Sequence, residues 1–474
     1  MSPSRLTLRP LGVLLAALAL GGCASFTRSE YQPPALEQPA AWRTPADASA
    51  PAATSTATPV SRQRWWESFG DATLDARIDE ALARNTDLAA AALRQQRARL
   101  QAGLSETALW PTLGASAGES LSQPLRATEA NNHDTSLSRS FSTRLSLSWA
   151  ADLWGKLART RDAAEWEARA TAEDRDAAEL SLTGNVATLY WKLAWLNERI
   201  ALAEQNLRAS EQTRALTQRR FEAGAVGRLD TLSAEQDIAS QRSSLVALRQ
   251  QLEETRNAFA LLFDGSPQRR FEEPARLPVT PLPPVSAGLP ASLLAARPDL
   301  RAAELRLRGT LASGDATRAG YYPDLTLTAG LGASSERLRD VLSNPVASLA
   351  AELAFPFLNW RQMQLNTAVA RADYELAVVS FRQTFHTALG DVENALSARQ
   401  QYVAQGEQLA LSLTAAREIE RINETRYRAG AIPLQTWLDA QQARRSAEAA
   451  AADNRYNQLA SQATLNLALG GQRS

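Results

Sequence analysis

The stretch from Phe141 to Asp230 limits what this chain can fold into more than any other. It opens with alternation: Phe141, Leu145, Leu147 and Trp149 fall on one side of a two-residue period, and Ser142, Arg144, Ser146 and Ser148 on the other. That is the pattern of a strand with one apolar and one polar face. After Asp152-Leu-Trp-Gly155 the period changes, and no proline interrupts the chain until Pro267. Leu182, Val186, Leu189, Leu193, Leu196 and Ile200 are spaced 4, 3, 4, 3, 4, the heptad stripe of helices packed side by side. The spacing predicts a helix from Leu157 to about Glu222, roughly 100 Å long at about 1.5 Å per residue. The Ala-Gly-Ala-Val-Gly run at 223–227 supplies the left-handed positions that stop a helix. Leu245, Leu248, Leu252, Phe259 and Leu262 then carry the stripe back.

The chain does all of this twice. Asn85-Thr-Asp-Leu88 and Trp110-Pro-Thr-Leu-Gly align with Arg297-Pro-Asp-Leu300 and Tyr322-Pro-Asp-Leu-Thr at one shift, and Gly118 falls on Gly330. From Trp154 onward a slightly shorter shift holds: Gly184 meets Gly390, Val186 meets Val392, Phe221 meets Tyr427, Gly224 meets Gly430 and Gly265 meets Gly471. The difference lies between the strands, where a hairpin loop absorbs it. A first repeat over 65–265 therefore contains a short helix capped by Asp71 or Thr73 and ending near Arg84, and a helix from Asp87 to Ala108 that Trp110-Pro111 breaks. Strands at about 112–122 and 140–150 and the long helical hairpin follow. The second repeat, 291–474, carries a helix from 299 to about 319, strands at about 324–334 and 347–357, a long helix from about 361 to 428 and a return helix from about 434 to 468. A tandem repeat of this kind predicts approximate two-fold similarity within the subunit. Asp264 to Pro290 holds seven prolines, so 266–290 is expected to be an irregular crossover joining the halves, packed outside the helices.

At the start, Arg5 and Arg9 precede an apolar run from Leu11 to Leu20, right for a secretory signal over 1–22 and too short to span a membrane. The run leads into Leu20-Gly-Gly-Cys23, which fits the cleavage box of a bacterial lipoprotein whose cysteine is acylated. Residue 24 is Ala rather than the Asp that resemblance to inner-membrane lipoproteins requires, which points to the outer membrane. An Ala-, Pro-, Ser- and Thr-rich tether is expected over 23–64, with Trp65, Trp66 and Phe69 beginning the packed part.

Lys and Arg total 51, as do Asp and Glu, so nothing in the charge balance calls for a nucleic-acid partner. With only His133, His386 and Cys23, a metal-ligand cluster or a disulfide framework is nearly excluded, and His386 reads as structural. No Ser-His-Asp set and no phosphate loop is visible; no catalytic residue, metal or cofactor is expected.

In the second half, Leu325, Leu327, Ala329, Leu331 and Ala333 alternate with Thr326, Thr328, Gly330, Gly332 and Ser334, and Leu349, Ala351, Leu353, Phe355 and Phe357 repeat the pattern. Strands of about ten residues match a tilted crossing of a bilayer. Trp110, Trp149, Trp154, Tyr321, Tyr322, Phe355, Phe357 and Trp360 gather where strand meets helix, as an interfacial aromatic girdle does. Taken singly each strand fits a soluble sheet equally well; the girdle, the signal and the lipid box together favour lipid. Four strands cannot close a barrel, since the smallest use about eight and fill their lumen with side chains. Three subunits give twelve strands and a water-filled interior.

These residues resemble the TolC-like outer-membrane efflux factor family, in its lipoprotein branch of OprM- and NodT-type channels. The features that carry the resemblance are Leu20-Gly-Gly-Cys23, Trp65-Trp66-Glu-Ser-Phe-Gly-Asp71, Trp110-Pro111 with Tyr322-Pro323, and Asp152-Leu-Trp-Gly155, together with Arg220-Phe-Glu-Ala-Gly224, Arg426-Tyr-Arg-Ala-Gly430 and Leu438-Asp-Ala-Gln441. The resemblance implies a membrane β-barrel plus α-helical barrel: a tandem-repeat subunit with four transmembrane strands and long coiled-coil-like helices. Its homotrimer closes a twelve-stranded barrel and a periplasmic helical tunnel, with an equatorial belt built from the termini and the crossover. It implies an exit duct of a tripartite efflux pump for exported small molecules, with type I protein secretion or a non-conducting surface protein as alternatives. A periplasmic adaptor and an inner-membrane pump, commonly of the resistance-nodulation-division class, are the implied partners. Gly224, Gly227, Arg228 and Asp230, with Arg426, Arg428 and Gly430, then form the periplasmic tip and adaptor contact, and ion pairs among the charged members are expected to latch it weakly. Several relatives carry an Asp after the second tip glycine; here the run is Ala431-Ile-Pro-Leu-Gln435, so an apolar constriction at Ile432 or Leu434 is expected instead, with ordinary interhelix contacts as the alternative.

Overall fold

The computed structural model describes residues 27–37, 39–44, 64–126, 135–284, 290 and 296–471; Cys23, His133, the signal segment and most of the tether lie outside the described residues. A short 3-10 turn, Trp65–Phe69, leads into α1 (Ala72–Arg84) and α2 (Thr86–Thr107). Then come β1 (Thr112–Ser122), β2 (Ser138–Ala151), α3 (Lys156–Glu222) and α4 (Arg228–Leu261). The second half contributes α5 (Pro298–Ala319), β3 (Asp324–Ser335), β4 (Val346–Ala354), α6 (Trp360–Arg428) and α7 (Leu434–Ala468). Two compact units divide the chain, one containing the strands and the helix segments next to them, the other 36–93, 173–301 and 383–474.

In the strand unit, β1, β2, β3 and β4 form one antiparallel sheet in that order. Its register puts like on like. Leu113, Leu147, Ala329 and Leu349 form one row across all four strands and Ala115, Leu145, Leu331 and Ala347 the next, while Gly114, Ser146, Gly330 and Ser348 make a row on the opposite face. Asp152 starts α3 by accepting from the Leu157 and Ala158 N–H groups at 3.0 and 2.8 Å, and Gly155, at φ +78°, makes the turn between strand and helix. The expected strand to 357 ends early: Pro356 has no N–H to give the ladder, and Pro356–Leu358 is a 3-10 turn, so Phe355 and Phe357 lie beyond β4.

In the other unit, Asp71 caps α1 through the N–H groups of Thr73 and Leu74 and takes the Tyr190 hydroxyl on its second oxygen. The heptad stripe of α3 forms the core there: Leu182, Val186, Leu193 and Leu196 pack with Trp65, Trp191, Phe259 and Phe263. Each such side chain contributes about 1.5–3 kcal/mol on burial. Residues 266–284 of the crossover form no helix or strand and are held by side chains. Arg256 grips Glu273 through two bonds of 2.6 and 2.9 Å, Arg455 donates to the carbonyl of Pro278 at 2.8 Å, and Gln462 to that of Pro283 at 3.1 Å. The guanidinium groups of Arg77 and Arg269 both approach the Phe271 ring, at 5.2 and 4.6 Å from its centre.

The tether expectation over 23–64 needs correction where it is described. Thr27 is buried and donates to the Trp154 carbonyl at 2.6 Å, and Ser29 gives both its N–H and its hydroxyl to Asp315, each at 2.7 Å. Farther on, Leu36 and Trp42 pack against the core around Phe385 and Val392, in the other unit. Composition marks this segment as loose, but its few large or hydroxyl side chains find fixed partners on the helices.

Candidate functional site

Two places hold the residues singled out from the sequence. The first is the sheet and its junction with the helices. Leu113, Leu349 and Leu353 are 70, 83 and 51% exposed, so among the described residues of the subunit nothing covers these positions of the apolar face. On that face the rows end, away from the helices, at a Glu119–Arg139 ion pair, with the Arg139 guanidinium 5.1 Å from the Phe141 ring centre. At the helix end stand the aromatics. Trp149 donates through Nε1 to the Leu109 carbonyl at 3.0 Å, and Trp154 donates to that of Pro323 at 2.9 Å while stacking on Tyr322 at 4.9 Å. Tyr321 accepts from Asn366, Phe355 meets Phe357 edge to face, and Trp110 and Trp360 are 66 and 60% exposed. An apolar band bounded by charge on one side and by hydrogen-bonded indoles on the other is the profile of a surface that sits in a bilayer. No described helix is long and apolar enough to cross a membrane.

The second place is the pair of hairpin ends. Gly224 and Gly430 both adopt positive φ, +71° and +77°, and close the same turn: the N–H of Gly224 meets the Phe221 carbonyl and that of Gly430 the Tyr427 carbonyl, each at 2.9 Å. Asp230 accepts from the Gly227 N–H and so caps α4, and Arg428 pairs with Glu424 on its own helix. Among the described residues Arg228 and Arg426 make no side-chain ion pair, so the expected latch of Asp230 with Arg228, Arg426 and Arg428 is absent within the subunit. A different bond joins the hairpins. Arg220 donates to the carbonyls of Tyr427 and Arg428 at 2.9 and 3.1 Å, with its guanidinium 4.6 Å from the Tyr427 ring centre. Tyr427 in turn stacks on Trp437.

Leu434 is 1% exposed in a cluster with Ala234, Tyr427, Trp437 and Leu438, which corrects its assignment to a constriction: its side chain is used inside the subunit. Ile432 is half-buried beside that cluster. Arg220 and Trp437 were not foreseen as tip residues. Arg220 stands in a motif that recurs at Arg426, and that recurrence was the available signal; its acceptors are backbone carbonyls, which leave no mark in a sequence.

A subunit with four antiparallel membrane-type strands, open at both edges, and two long helical hairpins defines a component of an outer-membrane channel. The chain belongs to the outer membrane efflux protein family, whose model matches residues 77–263 and 289–471. It is 32% identical over 474 residues to the pyoverdine export outer membrane protein OpmQ of Pseudomonas aeruginosa, covering 98% of this chain and 97% of that protein. It is 30% identical to the cation efflux system protein CusC of Escherichia coli, covering 96 and 97%. Among solved structures, the outer-membrane channel OprN is similar with a TM-score of 0.82 and 26% identity, covering 94% of this chain and 99% of that one. The open state of the MtrE outer membrane channel of Neisseria gonorrhoeae has a TM-score of 0.79 at 28% identity, covering 94 and 98%. The protein is thus an outer-membrane efflux channel with a periplasmic helical part, in a family that conducts rather than catalyses.

Proposed function

We propose that three copies of this chain close one passive exit duct, twelve strands around, through which small molecules leave the cell. The observation that carries this is the sheet: β1 and β4 each keep one unpaired edge, and a row of unsatisfied backbone groups costs several kcal/mol per group in hydrocarbon. Edge β4 of one copy pairs with edge β1 of the next. The helices attached to those edge strands carry bare apolar positions that fit the same seam, Leu100 and Leu104 on α2 and Leu365, Val369 and Leu376 on α6. Closure turns the leucine rows to lipid and the glycine and serine rows to the lumen.

In this reading Cys23 is acylated and holds the chain to the outer membrane. The tips around Gly224, Gly227 and Gly430 meet a periplasmic adaptor, which joins the duct to an inner-membrane pump of the resistance-nodulation-division class. The relatives are named for pyoverdine and for cations, which supports selection of cargo by the pump rather than the duct. Ile432 is the remaining candidate for an apolar constriction at the periplasmic entrance. Light scattering on the detergent-solubilised full-length chain and conductance in planar bilayers test the duct: a trimer that conducts is expected, and a monomer that passes no current rules it out. Ile432→Ala is expected to raise the conductance; no change removes the constriction alone.

A further inference from the structure

A cavity of about 550 Å³ opens between the N-terminal strap at residues 28–31, α3 and α5, wholly inside the strand unit. Its size falls within the roughly 300–1,000 Å³ of sites that hold small molecules. Two guanidinium groups on its wall, Arg159 on α3 and Arg308 on α5, each keep a buried Nε–H without a hydrogen-bond partner. Elsewhere both groups are bonded: Arg159 pairs with Asp162 at 2.5 Å, and Arg308 pairs with Glu304 at 2.7 Å while lying 4.5 Å from the Tyr31 ring centre. A buried donor left without an acceptor is costly, so two on one wall call for oxygens brought from outside the chain. Arg28 and Glu30, on the strap, also line the cavity; both are exposed and make no side-chain hydrogen bond or ion pair among the described residues.

The level of the cavity is fixed by its neighbours. Thr27, just before Arg28, donates to the carbonyl of Trp154, which belongs to the aromatic group at the end of the sheet. Arg159 comes three residues after Lys156, the first residue of α3, so it stands roughly 5 Å along the helix at about 1.5 Å per residue. The layer of headgroups on either side of a bilayer's hydrocarbon is about 5–8 Å deep. α3 follows β2 and α5 leads into β3, the two central strands, so pairing of the β1 and β4 edges between copies leaves the cavity accessible. We propose that the cavity binds a phospholipid headgroup of the periplasm-facing leaflet, its phosphate oxygens accepting from Arg159 and Arg308 at their Nε–H groups and from the Arg28 guanidinium. The wall sets three arginines, Arg28, Arg159 and Arg308, against Glu30, Asp162, Glu165 and Asp315, a balance that suits a zwitterion better than an anion. Asp162 is held by Arg159, Asp315 by Ser29 and Arg318, and Glu165 by Arg161 at 3.5 Å. Glu30 is left to receive a primary ammonium, which makes the headgroup a phosphoethanolamine. Leu311 and Ala312 give its glycerol end an apolar wall.

The inference rests on the membrane placement and assembly proposed above, and its test separates the two. The full-length chain in a maltoside detergent, stripped of lipid, is titrated with short-chain phosphatidylethanolamine or phosphatidylglycerol. Native mass spectrometry counts the bound lipid and reads the oligomer in the same spectrum. One phosphatidylethanolamine per copy is expected, bound ahead of phosphatidylglycerol and not displaced by millimolar inorganic phosphate. Arg159→Gln with Arg308→Gln is expected to weaken binding about tenfold or more. Arg28→Gln, at an exposed position with no bond to lose among the described residues, is expected to weaken it as well. Glu30→Gln is expected to abolish the preference for ethanolamine over glycerol, and Arg249→Gln, on α4 in the other unit, to change nothing. Displacement by inorganic phosphate overturns the lipid in favour of free phosphate, and an unaltered preference in Glu30→Gln overturns the zwitterion. A trimer that binds lipid equally with and without the three arginines overturns the site and leaves the assembly standing. A monomer whose binding still depends on them overturns the assembly and leaves the site.

Discussion

Two glycines with nearly the same backbone separate conformational strain from crowding. Gly224 is at φ +71° with no atom within 4 Å of an added Cβ, whereas at Gly470, φ +79°, that atom would stand 2.5 Å from the carbonyl oxygen of Ala296. Gly224→Ala is expected to cost about 1–2 kcal/mol, the penalty of a side chain in the left-handed region. Gly470→Ala adds a collision with backbone at the approach to α5 and is expected to cost more; equal shifts in the thermal melts of the two variants would contradict this. Residues 432 and 434 read alike in the sequence, both apolar beside a proline. Their difference arises from where α7 begins: with Pro433 just before it, Leu434 is the first helical residue and falls in with Trp437 and Leu438, on the same face.

At the scale of elements, the strap over residues 27–31 and the crossover depend on bonds between side chains and backbone. Asp315 is 2% exposed, receives Ser29 twice and also pairs with Arg318. Asp315→Asn is expected to weaken the strap by about 1–3 kcal/mol, read as faster cleavage near Ser29 by a protease added to the folded protein; unchanged cleavage would count against the clasp. A further anchor of the crossover, the ion pair of its Arg269 with Glu80 on α1, is sensitive to acid. Burial opposes ionisation of Glu80, but the hydrogen bonds and charges of Arg269 and Arg77 outweigh it and hold its pKa below the usual 4.5. A carboxyl depressed by folding stabilises fully above its unfolded value and loses that contribution as pH falls through the folded one. Melting temperature followed through the carboxylate range is therefore expected to fall less steeply in Glu80→Gln than in the parent. The long helices and strands were legible because period alone specifies them. The crossover's anchors were not, because a carbonyl such as that of Pro278, held by Arg455, looks the same in every sequence.

For the whole molecule, the assembly face on α6 gives the clearest expectation. Val369→Asp or Leu376→Asp puts a charge on an apolar surface that is 57 or 65% exposed in the single chain, so helical content is expected to persist while the light-scattering mass falls to that of one copy. A variant that remains assembled would place the seam elsewhere. The tandem repeat was readable from Asn85 and Arg297 onward, and it carries much of the architecture, because matched halves present matched surfaces. What it concealed is the asymmetry within one chain, where Tyr427 is covered and Phe221 is not. The row of Gly114, Ser146, Gly330 and Ser348 bears on traffic as well as on packing. If that row lines the duct as proposed, its hydrogens and short hydroxyls are expected to leave a passing solute few holds between the charged side chains of Arg144 and Glu352 on the same face, so that brief dwell times are the expected consequence.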